Sequence, residues 1–142
     1  MEIANIEDMF DIMEAPSRQD VAALEEAMKD MPQADCPVAH FFAKGAYMRC
    51  VHLPAGTHLT SKTHQTQHIS VIISGDVTVF MPDGETGRYQ GPYVFITEPN
   101  TKRAIVVHED TVWVTFHVTN KTDLSEIERE IMSEDYIDEV EL

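Results

Sequence analysis

The order of apolar and polar residues divides the chain into two helical ends and a strand-rich middle. Near the start, Val21, Leu24, Met28 and Met31 recur at helical spacing, Asp20 stands at the N-cap position and Pro32 closes the segment, which predicts an amphipathic helix. Near the end, Asp123 and Glu126 have the spacing of a capping box, and Leu124, Ile127 and Ile131 share one face of a second helix.

Between these ends the period shortens to two. Segment 46–53 (AYMRCVHL) alternates and stops at Pro54-Ala55-Gly56, and 68–74 (HISVIIS) is a β-branched run ahead of a Gly75-Asp76 turn signal. Segment 77–81 (VTVFM) precedes Pro82-Asp83-Gly84, and 93–97 (YVFIT) precedes Glu98-Pro99-Asn100. Segments 104–108 (AIVVH) and 111–119 (TVWVTFHVT) flank Glu109-Asp110, and Gly84-Glu-Thr-Gly87 reads as a hairpin loop. Six or seven short strands without an intervening helix predict a mainly β antiparallel sandwich or small barrel.

With Glu109-Asp110 as a two-residue turn, His108 lies opposite Thr111, Val106 opposite Trp113 and Ala104 opposite Thr115. Ala104, Val106, His108, Trp113, Thr115 and His117 then share a face with the mixed character of a cavity lining. Ile105, Val107, Val112, Val114 and Phe116 form the opposite, wholly apolar face.

Charge follows the same division. The 142 residues hold 25 acids against 10 Lys and Arg, a net charge of −15. Residues 1–35 carry ten acids against Arg18 and Lys29, and residues 120–142 nine against Lys121 and Arg129, so the ends account for −8 and −7. Residues 36–119 are neutral and contain all seven histidines. The expected organisation is an acidic helical segment (1–35), a β-barrel (36–119), and an acidic helix and tail (120–142). Acids interrupt Tyr136, Ile137 and Val140, which predicts a frayed or partner-dependent tail.

A hydrophobic fraction of 43% is globular, the start MEIANIEDMF lacks the basic and apolar regions of a signal peptide, and no apolar run suits a membrane helix. A soluble, unexported protein is expected, without membrane association. Its acidity opposes nucleic-acid binding. Cys36 and Cys50 have neither metal-knuckle nor redox-pair spacing, which suits a reducing compartment. Neither a phosphate-binding loop nor a G-x-S-x-G elbow occurs, and nothing marks Cys50 as an activated thiolate.

The chemistry is concentrated in imidazole. His64 and His68 are four apart across a loop-to-strand junction and point the same way if His68 opens the strand. Imidazole is the commonest protein ligand for divalent transition metals, and His117 is the candidate third ligand. Zinc, iron(II), manganese and nickel all accept such a set. His108 is a candidate ligand or pocket-rim residue beside the turn, while His40, His52 and His58 are read as surface or hydrogen-bonded residues.

The segment from Gly56 to Gly75 resembles the first motif of the cupin family, small jelly-roll barrels. Anchored on Gly75, the motif's glutamate position holds His68, its second histidine position His64 and its first histidine position Lys62. The second motif falls on Pro99, Thr101 and Ala104. Two of the four usual ligand positions, Lys62 and Ala104, are therefore lost, and a third, His68, is changed from carboxylate to imidazole. The spacing Lys62-x-His64-xxx-His68, with Thr101-Lys-Arg-Ala, His108-Glu-Asp-Thr-Val-Trp and Thr115-x-His117, resembles cupin-like proteins of tailed bacteriophages over residues 37–123. Those relatives commonly have more histidine between positions 64 and 68, where this chain has Gln65, Thr66 and Gln67.

The resemblance implies a cupin-type antiparallel jelly roll with a helix at each end, made in a host bacterial cytoplasm and incorporated in a virion. It also implies homo-oligomers and contacts with other phage structural proteins. The residues favour a non-enzymatic oligomerising module holding a divalent metal. The alternatives are a metal-dependent oxygenase, isomerase or lyase acting on a small polar molecule, with Lys62 or Lys102 orienting an anionic group, and a carbohydrate-binding module. In the last, Trp113, Tyr89 and Tyr93 would be stacking platforms. The expected pocket lining is Lys62, Lys102, Ala104, Trp113 and Thr115.

Overall fold

The structure is a computed structural model that describes residues 17–81 and 86–131. The acidic residues before Ser17, the Pro82-Asp83-Gly84 turn, most of the following loop and the tail from Glu134 lie outside the described residues.

Helix α1 spans Arg18–Met28. It begins three residues earlier than the hydrophobic spacing suggests, because Ser17 is the N-cap and Asp20 its capping-box partner: Ser17 Oγ accepts from the Asp20 amide, and Asp20 accepts from the Ser17 amide at 2.8 Å. Helix α2 spans Leu124–Ile131, and Asp123 caps it by accepting from the amides of Ser125 and Glu126. Among the described residues, no helix is long and apolar enough to cross a membrane.

Among the described residues, seven antiparallel strands form one continuous sheet: β1 (Val38–Ala43), β2 (Ala46–Leu53), β3 (His58–Thr60), β4 (His68–Phe80), β5 (Gly87–Gln90), β6 (Tyr93–Thr97) and β7 (Ala104–Val118). Strands β4 and β7 are the spine, paired with each other along nearly their whole length. The first half of β4 also pairs with β6 and its second half with β5, while β7 pairs with β3 and then β2. Two long strands thus pass from one layer of the barrel to the other. Leu53, Ile72, Val77, Val79, Ile105, Val107 and Trp113 fill the space between.

This arrangement corrects the expected turns at Gly75-Asp76 and Glu109-Asp110. Both signals sit inside continuous strands, facing each other across the spine, and mark a bulged stretch with three successive register shifts between Ile72 and Val77. From the pair Ile72↔Trp113 to the pair Val77↔Val107, β4 advances from 72 to 77 while β7 runs back from 113 to 107, one residue more. The inward positions of β4 therefore change parity, from His68, Ser70 and Ile72 to Val77 and Val79. Gly75 has φ +115°, and a Cβ there would lie 2.1 Å from Thr111 Oγ1, so only glycine fits the crossing. Asp76 is buried beside it and held below the usual carboxylate range by hydrogen bonds from Arg88 and Gln90 of β5.

The outer face of the spine receives α1. Val21 and Leu24 pack against Phe80 and Ala104, burial that contributes about 1.5–3 kcal/mol for each large side chain. Glu25 of α1 accepts from Lys102 at 2.7 Å and from Thr60 at 2.9 Å. At the other end, Ile127 and Ile131 of α2 close over Tyr47 of β2.

Candidate metal centre

The three histidines arrive from two long strands and one loop. His68 opens β4, and His117 lies near the end of β7, one step beyond the pair Ile69↔Phe116. His64 sits in the loop before β4, where its carbonyl accepts from the Asn100 amide at 2.8 Å and the next amide, of Gln65, donates to the carbonyl of Ile131 in α2. Ring centroids are 4.6 Å apart for His64 and His68, 4.7 Å for His68 and His117, and 5.3 Å for His64 and His117. One candidate ligand nitrogen from each lies within 4.8 Å of the others. His68 and His117 are only 6% and 4% exposed.

Hydrogen bonds leave a lone pair on each buried ring. His68 Nδ1–H donates to the Thr66 carbonyl at 3.2 Å, which leaves Nε2 as the bare nitrogen. His117 Nε2 lies 2.9 Å from Thr115 Oγ1; with Nε2–H as the donor, Nδ1 is a lone pair, and that atom is buried without any hydrogen-bond partner. Burial, followed by the charges of the neighbouring histidines and of Arg103 and Arg49, pushes His64 down to about 3. Burial, with His68 and Arg49, lowers His117 to about 4. His68 is also lowered, chiefly by burial, against the opposing effect of the Thr66 carbonyl. All three rings are neutral at pH 7 and available as ligands.

The residues fit a metal. Bonds of about 2.0–2.1 Å from imidazole place ligand nitrogens about 3.0–3.4 Å apart, against present separations of up to 4.8 Å. An orphaned buried nitrogen is also what a metal would satisfy.

Two of the triad histidines line one cavity, and none lines a second. One, of about 200 Å³, is lined by His64, His117, Lys62, Arg49 and Tyr47 and roofed by α2. Lys62 loses basicity there, through burial and then the nearby Arg49. The second, of about 180 Å³, lies under Tyr89, Tyr93 and Phe95 and reaches Thr97 and Arg103.

The structure brings His64, His68 and His117 together and places Lys62 beside them. Trp113 lies in the core and Thr115 supports His117. Three expected pocket residues lie elsewhere. His108 is exposed, with its Nε2 2.7 Å from Thr78 Oγ1. Lys102 turns outward to Glu25, and Ala104 packs against α1. The reason is the missing hairpin: in one continuous β7 the odd positions Ile105, Val107, Trp113 and His117 face inward, and 104 and 108 face out. His52 and His58 stand apart from the triad, His58 bonding to the Gly56 carbonyl at 3.0 Å, while His40 lines the cavity with His64 and His117 and bonds to Tyr47 Oη at 2.7 Å.

Arg103 escaped the sequence reading. Continuing the odd parity of β7 backward past Ile105 would have placed it inside.

Solved structures share this fold. A double-stranded β-helix RmlC-like cupin of Methanocaldococcus jannaschii aligns at TM-score 0.50 and 15% identity, covering 64% of this chain and 86% of its own. The cupin domain of Schizosaccharomyces pombe Cnp3 aligns at 0.50 and 20% identity, covering 72% and 71%. A cupin-superfamily protein of Desulfitobacterium hafniense aligns at 0.51 and 9% identity, covering 68% and 85%. No protein-family model and no curated protein matches the sequence. The fold is the cupin jelly roll.

Proposed function

We propose that this chain is a small-molecule-binding metalloprotein in which His64, His68 and His117 hold one divalent transition metal. The observation that carries it is the convergence of three neutral imidazoles, one with an orphaned buried nitrogen, beside a cavity that His64 and His117 line. Structural zinc sites are closed by four protein ligands, whereas sites for exchangeable ligands use three and keep a position open. Bound there, zinc, iron(II), manganese or nickel would supply Lewis acidity, which makes the metal-dependent enzyme the favoured version of this reading. Lys62 and Arg49, with the Glu128 carboxylate of α2, give the cavity beside His64 and His117 a polar wall of mixed charge that suits a small polar molecule.

The test is elemental analysis of protein expressed in metal-supplemented medium, beside a His64→Ala/His68→Ala variant. Stoichiometric metal in the wild type and its loss in the folded variant are expected. A metal-free wild type that also fails to take up zinc or iron(II) on titration overturns the reading.

A second reading, an oligomerising module, is supported by the outer sheet face. Phe41, Met48, Phe116, Ile69 and Ile96 are register neighbours across five strands, and four of them are exposed. A second copy suits this row because residues 36–119 carry no net charge, so two barrels meet without the repulsion of their acidic ends. Light scattering of wild type and Ile69→Lys distinguishes dimer from monomer. Phage origin and a place in the virion follow from the sequence resemblance alone, and mass spectrometry of purified particles tests them.

A further inference from the structure

Three charged side chains other than histidine are buried among the described residues: Asp76, Lys102 and Arg103. Asp76 has Arg88 at 2.7 Å and Lys102 has Glu25 at 2.7 Å. Arg103 has no carboxylate. It is 7% exposed, its Nη2 donates to Thr97 Oγ1 at 2.9 Å, and its Nε has no partner. The guanidinium rests over Phe95 and Trp113, at 5.5 and 5.7 Å from the ring centres. Aromatic faces partly compensate a desolvated cation but do not replace a counter-ion. Burial lowers its pKa to about 10, so it remains charged at pH 7.

The unpaired cation lines a cavity with aromatic walls. Tyr89 stacks on Tyr93 at 4.9 Å, Tyr93 on Phe95 at 5.7 Å, and Phe95 meets Trp113 edge-on at 5.6 Å. The cavity therefore has one cationic pole in a largely aromatic and aliphatic lining. Glu98 also lines it, but its carboxylate oxygens accept from Gln67 at 2.9 and 3.2 Å. At about 180 Å³ it is smaller than the roughly 300–1,000 Å³ of pockets for drug-sized ligands, which limits an occupant to about one ring or a short chain.

We propose that this cavity binds a small planar monocarboxylate, with Arg103 as its counter-ion and the Tyr89–Tyr93–Phe95 wall against its apolar body. The open Nε and the adjacent Nη2 form the side of the guanidinium that suits the two oxygens of a carboxylate. The negative charge of Glu98 at the same cavity disfavours a dianion such as phosphate. The proposal goes beyond the metal reading and does not rest on it, since no histidine lines this cavity.

Trp113 is the chain's one tryptophan and touches the Arg103 guanidinium, so its emission reports occupancy. The experiment titrates chelator-treated and zinc-loaded protein with benzoate, with benzamide as the neutral isostere, and with inorganic phosphate. Benzoate is expected to bind at least tenfold more tightly than benzamide or phosphate in both protein forms. Arg103→Met is expected to abolish that preference without lowering the melting temperature of the ligand-free protein, because it removes an uncompensated buried charge. If Arg103→Met does not fold, the benzoate-to-benzamide ratio in the wild type decides alone. Equal binding of the two, no emission change up to millimolar benzoate, or tighter binding of phosphate overturns the proposal. Benzoate binding that needs zinc also overturns it, and places the carboxylate on the metal instead.

Discussion

Replacing Gly75 by alanine tests whether the two central strands are built as described. A Cβ at position 75 would stand 2.1 Å from Thr111 Oγ1 and 2.6 Å from Thr111 Cα, distances that no side-chain rotation relieves because the second atom is backbone. The φ of +115° adds backbone strain of about 1–3 kcal/mol for a residue with a Cβ. Parting the strands to admit the methyl group adds about 1–3 kcal/mol of overpacking. Gly75→Ala should therefore lose about 2–6 kcal/mol. Gly56→Ala is the control: φ there is +86°, but nothing lies within 4 Å of the added Cβ, so only a strain of about 1–2 kcal/mol remains. Urea denaturation of both variants measures the difference. Adding Thr111→Ala to Gly75→Ala should recover little, since the backbone contact stays. Stabilities for Gly75→Ala and Gly56→Ala within about 1 kcal/mol of each other would refute the strand crossing, and with it the parity change that turns His68 inward.

Metal-free protein should lose stability as pH falls from 6.5 toward 4. His64 and His117 have folded-state pKa values below the ordinary 6.5, so the unfolded chain binds more protons there, at about 1.4 kcal/mol per pH unit for each such histidine before allowance for water reaching the partly exposed His64. A flat urea midpoint across that range contradicts buried neutral rings; Asp76 and Asp123, depressed below the ordinary 3.8, lose their stabilisation only at still lower pH. His117→Ala should lower metal content to a small fraction of wild type while His108→Ala leaves it unchanged, read by elemental analysis, because His108 lies outside the triad. Lys102→Met strands the Glu25 carboxylate and should cost about 3–5 kcal/mol, with metal content preserved and stability largely recovered in Lys102→Met/Glu25→Leu.

The barrel was legible because alternation and turn chemistry are local. Most of β2 and β6 and both helices stand near where their patterns place them. Short β3 and the edge strands β1 and β5 carry too few alternating residues to register. Gly75-Asp76 and Glu109-Asp110 misled for a physical reason: the residues that favour a two-residue hairpin, small, polar and tolerant of positive φ, are those a β-bulge also requires. Reading the bulged stretch as two turns moved Ala104 and His108 onto the wrong face, and it hid the odd parity of β7 that turns Arg103 inward and Lys102 outward.

By itself the sequence determined the strand-rich neutral middle, the acidic amphipathic ends, and the His64 and His68 pair, because each depends on periodicity and spacing over a few residues. Only the tertiary structure decided that His117 completes the triad, that Lys102 is a structural ion-pair partner of α1, and that Arg103 is buried without a counter-ion. Those facts depend on the register between strands distant in sequence. The register shifts at the centre of the β4–β7 pair set which face the side chains of β4 take on either side of them.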